Sequence, residues 1–271
     1  MAAALPRFCL EPLTLAGLPA LEMVRVAAAN GYDFISLTLN SPFPGVQPDA
    51  IVTDSAARAE VIAAMRAANI GLLDIECFNL TGEADVESFR PALECGHALG
   101  ARSGLAILWD NPDRADALNK YRALCDMAAE YAMRINVEFL QPCRDMGSLE
   151  TAIAFVRDAG RANGGVVIDL LHLIRTGSSV AAFQAMDRDL IGLVQLCDGP
   201  ATIPPERIME ECAAERLYPG EGALPVREFI AAIPADMVVA LEVPKQAMRD
   251  RVTPHDHAAA LIDAARSAYR G

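Results

Sequence analysis

The feature that most constrains this fold is a regular alternation of short apolar segments with longer amphipathic segments along all 271 residues. The short segments are rich in β-branched and aliphatic residues, which is typical of buried strands. Apolar residues recur in the longer segments at helical spacing, and several of these segments end at glycine. Eight strands alternating with eight helices in a chain of this length predict a single (β/α)8 barrel over residues 1–271.

The predicted strands are Phe8–Leu10, Asp33–Leu39, Ile70–Phe78, Ser103–Trp109, Ile135–Leu140, Val166–Leu170, Ile191–Leu196 and Met237–Val243. The predicted helices are Leu18–Asn30, Asp54–Asn69, Val86–Leu99, Pro112–Met133, Ser148–Asn163, Ser178–Met186, Pro225–Ile233 and Thr253–Tyr269. A long, charged loop with room for a helical turn is expected over Cys197–Ala223. A doubly wound open sheet is the alternative, but it normally has fewer strands at this length, and the first strand lacks a following GxGxxG.

The net charge and the cysteines of the chain indicate which partners and which cellular compartment to expect. The net charge of −13 opposes binding to phosphate backbones or anionic membranes, so we expect neither nucleic acid nor membrane as a partner. The seven cysteines are scattered without a CxxC pair, which favours reduced thiols in the cytoplasm. Met1–Gly17 has no basic start followed by a continuous apolar core, so no signal peptide is predicted.

One stretch, Gly165–His172, combines a buried strand with two groups capable of chemistry. Asp169 ends the apolar run and His172 follows three positions later. Because residues three apart on a strand point to opposite faces, we expect the chain to bend after Asp169 and bring both groups to one site. A buried carboxylate costs several kcal/mol unless a cation or donor meets it, which suggests a metal. The alternative is that Asp169 caps the next helix and His172 packs beside it.

Further polar residues lie at the ends of other predicted strands, where the active site of a barrel is found. They are Glu76, Glu138, Gln195, Asp198 and Glu242. Carboxylates that converge from several strands repel one another strongly unless a divalent cation lies among them. A buried network of ion pairs with arginines is the alternative. Oxygen ligands of this kind suit Mn²⁺, Mg²⁺ or Co²⁺ better than a structural zinc.

The order of these residues resembles the xylose isomerase-like barrel superfamily over the whole chain. The resemblance rests on Glu138, on Asp169-x-x-His172, on a polar residue in strand seven with Asp198 three later, and on Glu242. The stretch Arg216–Gly222 is also similar to the arginine followed by Pro-Gly-x-Gly of that family. Sugar isomerases and epimerases, inosose and dehydroshikimate dehydratases and endonuclease IV-type repair enzymes share this fold.

The resemblance implies roles for these residues. It implies a metal held by Glu138, Asp169, Glu242 and the strand-seven position, and protons moved by Glu138 and Glu242. It further implies that His172 and Arg216 contact the substrate. The strand-seven position departs from the family because Gln195 replaces a histidine. An amide oxygen ligates hard cations more weakly than imidazole, so Mn²⁺ or Mg²⁺ is expected, with Co²⁺ or Zn²⁺ as alternatives. Asp198 either contributes to this site or caps the following loop.

We therefore expect a divalent-metal-dependent isomerase or epimerase that acts on a sugar, a sugar phosphate or a related polyhydroxy carbonyl compound through an enediolate. A dehydratase or lyase of the inosose or 3-dehydroshikimate type and a non-catalytic sugar-binding barrel are the alternatives. Trp109 either stacks on the sugar or packs, and Glu76 is a further predicted substrate contact. Cys197–Glu221 is predicted to form a lid over the substrate, and a homodimer or homotetramer is left open.

Overall fold

The strands of this chain close into one barrel. A computed structural model describes residues 5–41, 43, 45–109, 111–143, 145–248 and 251–271. Each strand pairs in parallel with its neighbours in sequence, and the first strand pairs with the last. The strands are β1 (Phe8–Leu10), β2 (Phe34–Thr38), β3 (Gly71–Asn79), β4 (Ser103–Ile107), β5 (Arg134–Glu138), β6 (Gly164–Asp169), β7 (Ile191–Leu196) and β8 (Val239–Leu241). The predicted (β/α)8 barrel is confirmed.

Helices connect successive strands around the outside of the barrel. They are α1 (Ala20–Asn30), α2 (Ser55–Ala68), α3 (Arg90–Leu99), α4 (Arg114–Ala129), α5 (Leu149–Ala159), α6 (Leu170–Arg175), α7 (Val180–Gln184), α8 (Ile208–Ala213), α9 (Val226–Ala232) and α10 (Pro254–Arg270). No helix among the described residues is long and apolar enough to cross a bilayer.

Most helices are shorter than predicted because capping residues set their ends. The helix predicted from Pro112 begins at Arg114, since the Asp113 carboxylate accepts hydrogen bonds from the backbone N–H groups of Ala115 and Asp116 at 2.9 and 3.2 Å. Such a cap satisfies donors that the first helical turn leaves free.

The bend expected after Asp169 is the start of a helix, α6, which the sequence did not predict. Asp169 is its N-cap, and its Oδ1 accepts a hydrogen bond from the backbone N–H of His172 at 3.2 Å. Asp169 therefore caps a helix, as the alternative interpretation expected, while its role as a metal ligand stays a prediction. Leu170 to Leu173 are all buried, so this segment has no polar face from which a helical period could be recognised.

The register of the barrel places the candidate residues on its inner face. Asp169 pairs with Gln195, which pairs with Ala240, and Glu138 pairs with Val167. Registered partners on parallel strands face the same side, and side chains two apart on a strand do so as well. The carboxylates that follow the strands therefore gather at the carboxyl end of the barrel, as expected for this fold.

Candidate active site

A cavity of about 1090 Å³ opens at the carboxyl ends of the strands. Six of the residues predicted to bind substrate or metal line this cavity. They are Glu76, Trp109, Glu138, His172, Arg216 and Glu242. Asp169 and Gln195 are fully buried and lie outside the lining of the cavity. The structure thus brings most of the predicted site together around one space.

Arg216 joins two of the carboxylates that were predicted to bind metal. Its Nη1 donates to Asp169 Oδ2 at 2.8 Å and to Glu242 Oε2 at 2.9 Å. Its Nε and Nη2 donate to the backbone carbonyl of Cys212 at 3.1 and 2.9 Å. Burial opposes the charge of this guanidinium, but Asp169 and Glu242 outweigh it and raise the pKa of Arg216. The buried ion-pair network considered as an alternative is therefore present.

His172 belongs to the same cluster of buried groups, and its low pKa leaves the imidazole neutral at physiological pH. Its Nε2 is 3.9 Å from Glu138 Oε1 and 3.8 Å from Cys212 Sγ. Burial lowers the pKa of His172 to about 4. The charge of Asp169 raises this pKa by a smaller amount, and the charge of Arg216 lowers it further. A neutral imidazole can act as a metal ligand or as a hydrogen-bond partner for a substrate hydroxyl.

Glu138 and Glu242 are buried carboxyl groups whose protons are held more tightly than usual. Burial raises the pKa of Glu138, and the charges of Glu242 and Asp169 raise it further. Burial also raises the pKa of Glu242, to about 7, even though the neighbouring Arg216 lowers it. A group whose pKa lies near the working pH can both accept and return a proton, which is what acid–base catalysis requires.

The geometry of the site fits a bound cation. The ligand atoms of Glu138, Asp169 and His172 lie within 4.8 Å of one another, and all three residues are buried. Glu138 Oε1 has no hydrogen-bond partner among the described residues, which leaves a buried acceptor facing this group. One imidazole with two carboxylates is a donor set that suits Zn²⁺ as well as Mn²⁺. These three residues could therefore hold a metal ion.

Gln195, the predicted strand-seven ligand, is a buried amide on β7, and its Cα position is in register with that of Asp169. Both atoms of its amide, Oε1 and Nε2, are buried without a hydrogen-bond partner among the described residues. Its role as a ligand stays a prediction.

Asp198 stabilises the loop that follows β7. Its carboxylate accepts four backbone hydrogen bonds, from Gly199 at 2.8 Å, Gly220 at 2.9 Å, Gly222 at 2.9 Å and Leu224 at 3.0 Å. Gly220 has a backbone φ of +93°, a conformation that residues other than glycine rarely adopt. Asp198 therefore caps the loop, which is one of the two roles expected for it. The same carboxylate holds the Pro-Gly-x-Gly turn in place.

The segment that was predicted to form a lid contributes one wall of the cavity. Helix α8 lies within it, and Met209, Cys212 and Ala213 from this helix line the cavity with Arg216. A buried two-pronged ion pair fixes α8 to α6, with Arg175 donating to Glu211 at 2.8 and 2.7 Å. The segment is thus a structured wall attached to the barrel.

Glu11 is a site residue that the sequence interpretation missed. It follows β1 directly, is fully buried, and its Oε1 accepts a hydrogen bond from Ser36 Oγ at 2.9 Å. The ligand atoms of Glu11, Glu76 and Glu242 also lie within 4.8 Å of one another. The criterion that identified Glu76, a carboxylate at the end of a strand, would have identified Glu11 as well.

The sequence matches the profile of the xylose isomerase-like TIM barrel family over residues 24–267. Among characterised proteins, the chain is similar to an inosose isomerase from Bacillus velezensis. The two are 23% identical over 235 residues, which cover 82% of this chain and 81% of the relative.

Solved structures share the fold. A structure described as the IOLI protein with a bound zinc atom has a TM-score of 0.76 and 20% identity, and the match covers 97% of this chain and 96% of that one. The probable 3-dehydroshikimate dehydratase AsbF from Bacillus anthracis has a TM-score of 0.76 and 14% identity, with 96% and 98% covered. At such identities these structures show the fold alone. Because the family profile spans most of its length, this chain belongs to the xylose isomerase-like TIM barrel family.

Proposed function

We propose that this protein is an isomerase or epimerase that moves a proton next to the carbonyl group of a sugar, a sugar phosphate or a related polyhydroxy compound. The observation that carries the proposal is the pair of buried carboxyl groups, Glu138 and Glu242, whose pKa values are raised and which line one cavity. The similarity to an inosose isomerase supports this reaction class.

In the proposed reaction, one of the two carboxylates removes the proton and the other returns a proton to the neighbouring carbon or to the opposite face. Glu242, with a pKa of about 7, changes its protonation state readily near neutral pH. Arg216 stabilises the ionised form of Glu242 and adds positive charge close to the developing enediolate. His172 and Arg216 are the proposed contacts for substrate oxygens. Glu76, whose carboxylate lies near that of Glu242, and Trp109 are further proposed contacts in the same cavity.

A divalent cation is part of the proposal, with Mn²⁺ or Mg²⁺ preferred and Co²⁺ or Zn²⁺ as alternatives. When bound, such an ion would stabilise the negative charge of the enediolate oxygens. Glu138, Asp169 and His172 form the set whose geometry supports binding. The set proposed from the resemblance instead combines Glu138 and Asp169 with Gln195 and Glu242. In the structure, Arg216 donates to Asp169, which belongs to both sets, and to Glu242, which belongs only to the second. The first set therefore competes with Arg216 for one ligand and the second set for two.

A dehydratase would use the same carboxylates and the same enolate but would expel a hydroxyl group from the β-carbon. A 3-dehydroshikimate dehydratase from Pseudomonas aeruginosa supports this alternative, because it is 28% identical to the chain over 114 residues. That match covers 42% of this chain and 18% of the relative, which is why we place it second.

Assays on purified protein supplied with Mn²⁺ or Mg²⁺ test the proposal. Ketoses, inososes and 3-dehydroshikimate are incubated with the protein, and products are identified by NMR. An isomer or epimer is the expected product, whereas loss of water from the substrate would establish the dehydratase. Glu138→Gln should abolish product formation while circular dichroism shows an unchanged fold. Binding of a sugar without any product would indicate a non-catalytic barrel.

The proposed partner is a small polyhydroxy molecule, and the proposed setting is the cytoplasm. The structure shows no disulfide among the seven cysteines, all of which lie in its described residues, and this agrees with a reducing compartment.

A further inference from the structure

The exposed large apolar side chains of the described residues gather at one place. Phe43, Val46 and Met209 are 38%, 39% and 48% exposed, and all three line the cavity above the candidate active site. Single exposed apolar residues are ordinary on protein surfaces, but a group of them around one opening marks a binding site. We call Phe43, Val46, Met209 and the half-buried Trp109 the apolar rim.

The apolar rim is organised around aromatic packing. The rings of Phe43 and Trp109 meet edge to face at 5.6 Å between their centroids. The carboxylate of Asp49, which also lines this part of the cavity, is committed elsewhere because it accepts hydrogen bonds from the backbone of Ala20 and Ile51 at 2.7 and 3.1 Å. The rim therefore presents mainly carbon to a ligand.

The charged groups of the cavity lie in its buried interior, which we call the charged pole. Glu138, His172, Arg216 and Glu242 are all at least nine-tenths buried, in contrast to the exposed residues of the rim. Pockets that enclose drug-sized ligands measure roughly 300–1,000 Å³. A cavity of about 1090 Å³ slightly exceeds that range, so a small polyol bound among the charged groups would leave the apolar rim facing water.

We propose that the natural substrate is amphipathic, with a polyhydroxy carbonyl head at the charged pole and an alkyl or aryl substituent held by the apolar rim. The identity of the head rests on the proposed function, whereas the substituent is inferred from the rim itself. Burial of each methylene group improves affinity by about fourfold, so a substituent of several carbons would dominate binding.

Two glycosides that differ only in their substituent test this inference. Methyl and hexyl 3-keto-β-D-glucopyranoside present the same hexose with the same carbonyl group, and their affinities can be measured by calorimetry. Trp109 is the only tryptophan of the chain, so its fluorescence reports directly on the rim. We expect the hexyl glycoside to bind at least tenfold more tightly than the methyl glycoside and to change the Trp109 emission to a larger extent.

Variants locate the preference in the rim. Phe43→Ala and Met209→Ala should each reduce the ratio of hexyl to methyl affinity at least threefold. Met237→Ala is the matched control, because this half-buried methionine precedes β8 at the opposite end of the barrel and should leave the ratio unchanged.

The inference would be overturned if the hexyl glycoside bound no more tightly than the methyl glycoside, or if neither glycoside bound. It would also be overturned if the preference for the hexyl glycoside persisted in both Phe43→Ala and Met209→Ala. These outcomes are separable from failure of the proposed reaction. Turnover of free ketoses without a hexyl preference would remove the apolar subsite alone. A hexyl preference without turnover of any candidate would remove the reaction and leave the subsite.

Discussion

At the scale of single residues, the site is governed by how one guanidinium shares a buried space with several carboxylates. Arg216 Nη1 contacts both Asp169 and Glu242 within 2.9 Å, and the side chain of Arg216 is 1% exposed. Removing one partner of such a network leaves uncompensated charge in a medium of low dielectric constant. Arg216 therefore has a structural role in addition to its proposed contact with substrate.

Replacing Arg216 by methionine should lower the free energy of unfolding of the metal-free protein by about 3–5 kcal/mol. Added Mn²⁺ should restore part of this loss, because a cation can then replace the guanidinium beside Asp169 and Glu242. Urea denaturation with and without Mn²⁺ measures both effects. Arg188→Met is the control, since its ion pair with Asp236 is exposed and contributes about 1 kcal/mol or less. A loss for Arg216→Met as small as that of the control would contradict this account.

The two proposed sets of metal ligands make opposite predictions for Gln195→Leu. If Glu138, Asp169 and His172 form the site, the affinity for Mn²⁺ should stay within about twofold of the wild type. The protein should then also gain stability, because a buried amide without partners costs about 1–3 kcal/mol. Calorimetric titration with Mn²⁺ decides the matter. An affinity reduced by about 1–3 kcal/mol would instead establish Gln195 as a ligand, as the resemblance implies.

At the scale of elements, Asp198 connects the end of β7 to the turn that precedes α9. Its two carboxylate oxygens accept four backbone hydrogen bonds from residues 199–224. This one side chain therefore fixes the far end of the segment that carries α8 and Arg216.

Asp198→Asn should reduce stability by about 2–4 kcal/mol, because an amide keeps one acceptor oxygen and turns its NH₂ group toward backbone donors. Hydrogen exchange should become faster in residues 217–224, while the rest of the barrel stays protected. Asp54→Asn serves as the control, since asparagine is as good an N-cap as aspartate at the start of α2. Equal stability of the two variants would show that Asp198 does not organise this loop.

The sequence predicts the elements better than their contacts. The alternation of patterns identifies all eight strands, and β7 has the predicted bounds Ile191–Leu196. The positions of Glu138 as the last residue of β5 and of Glu242 directly after β8 follow from the same pattern. The ion pairs of Arg216 do not, because they join residues 26 to 47 positions apart through the closure of the barrel. The contact of Phe43 with Trp109 could not be predicted from the sequence for the same reason, because it joins the loops that follow two different strands.

At the scale of the whole molecule, the buried carboxyl groups couple stability to pH and to metal. A carboxyl whose folded pKa is raised contributes stability below its unfolded pKa of about 4.3 and loses it as pH rises through the folded value. For Glu242 this value is about 7, and the pKa of Glu138 is raised in the same direction. The metal-free protein should therefore lose stability through Glu242 as pH rises from about 4 to about 7, and Glu138 should add a loss of the same sign that begins at the same pH.

A metal ion reverses this dependence because it binds the ionised form of Glu138. The increase in Tm caused by Mn²⁺ should be larger at pH 8 than at pH 6, and a difference of 1 kcal/mol would appear as roughly 2–4 °C. Differential scanning calorimetry at both pH values measures the increase. Glu138→Gln should show little increase at either pH. An equal or larger increase at pH 6 for the wild type would refute the coupling.

The central claim is that Glu138 and Glu242 move a proton at the carbon next to a substrate carbonyl. Incubation of the protein with a turned-over substrate in D₂O, followed by NMR, tests this claim most directly, since isomerisation, epimerisation and dehydration all begin with removal of that proton. We expect the wild type to place deuterium at the carbon that receives the returned proton, which is the same carbon in an epimer and the neighbouring carbon in an isomer. Incorporation should be at least a hundredfold slower with Glu138→Gln and with Glu242→Gln. Turnover without any deuterium incorporation, or incorporation that persists in both variants, would contradict it.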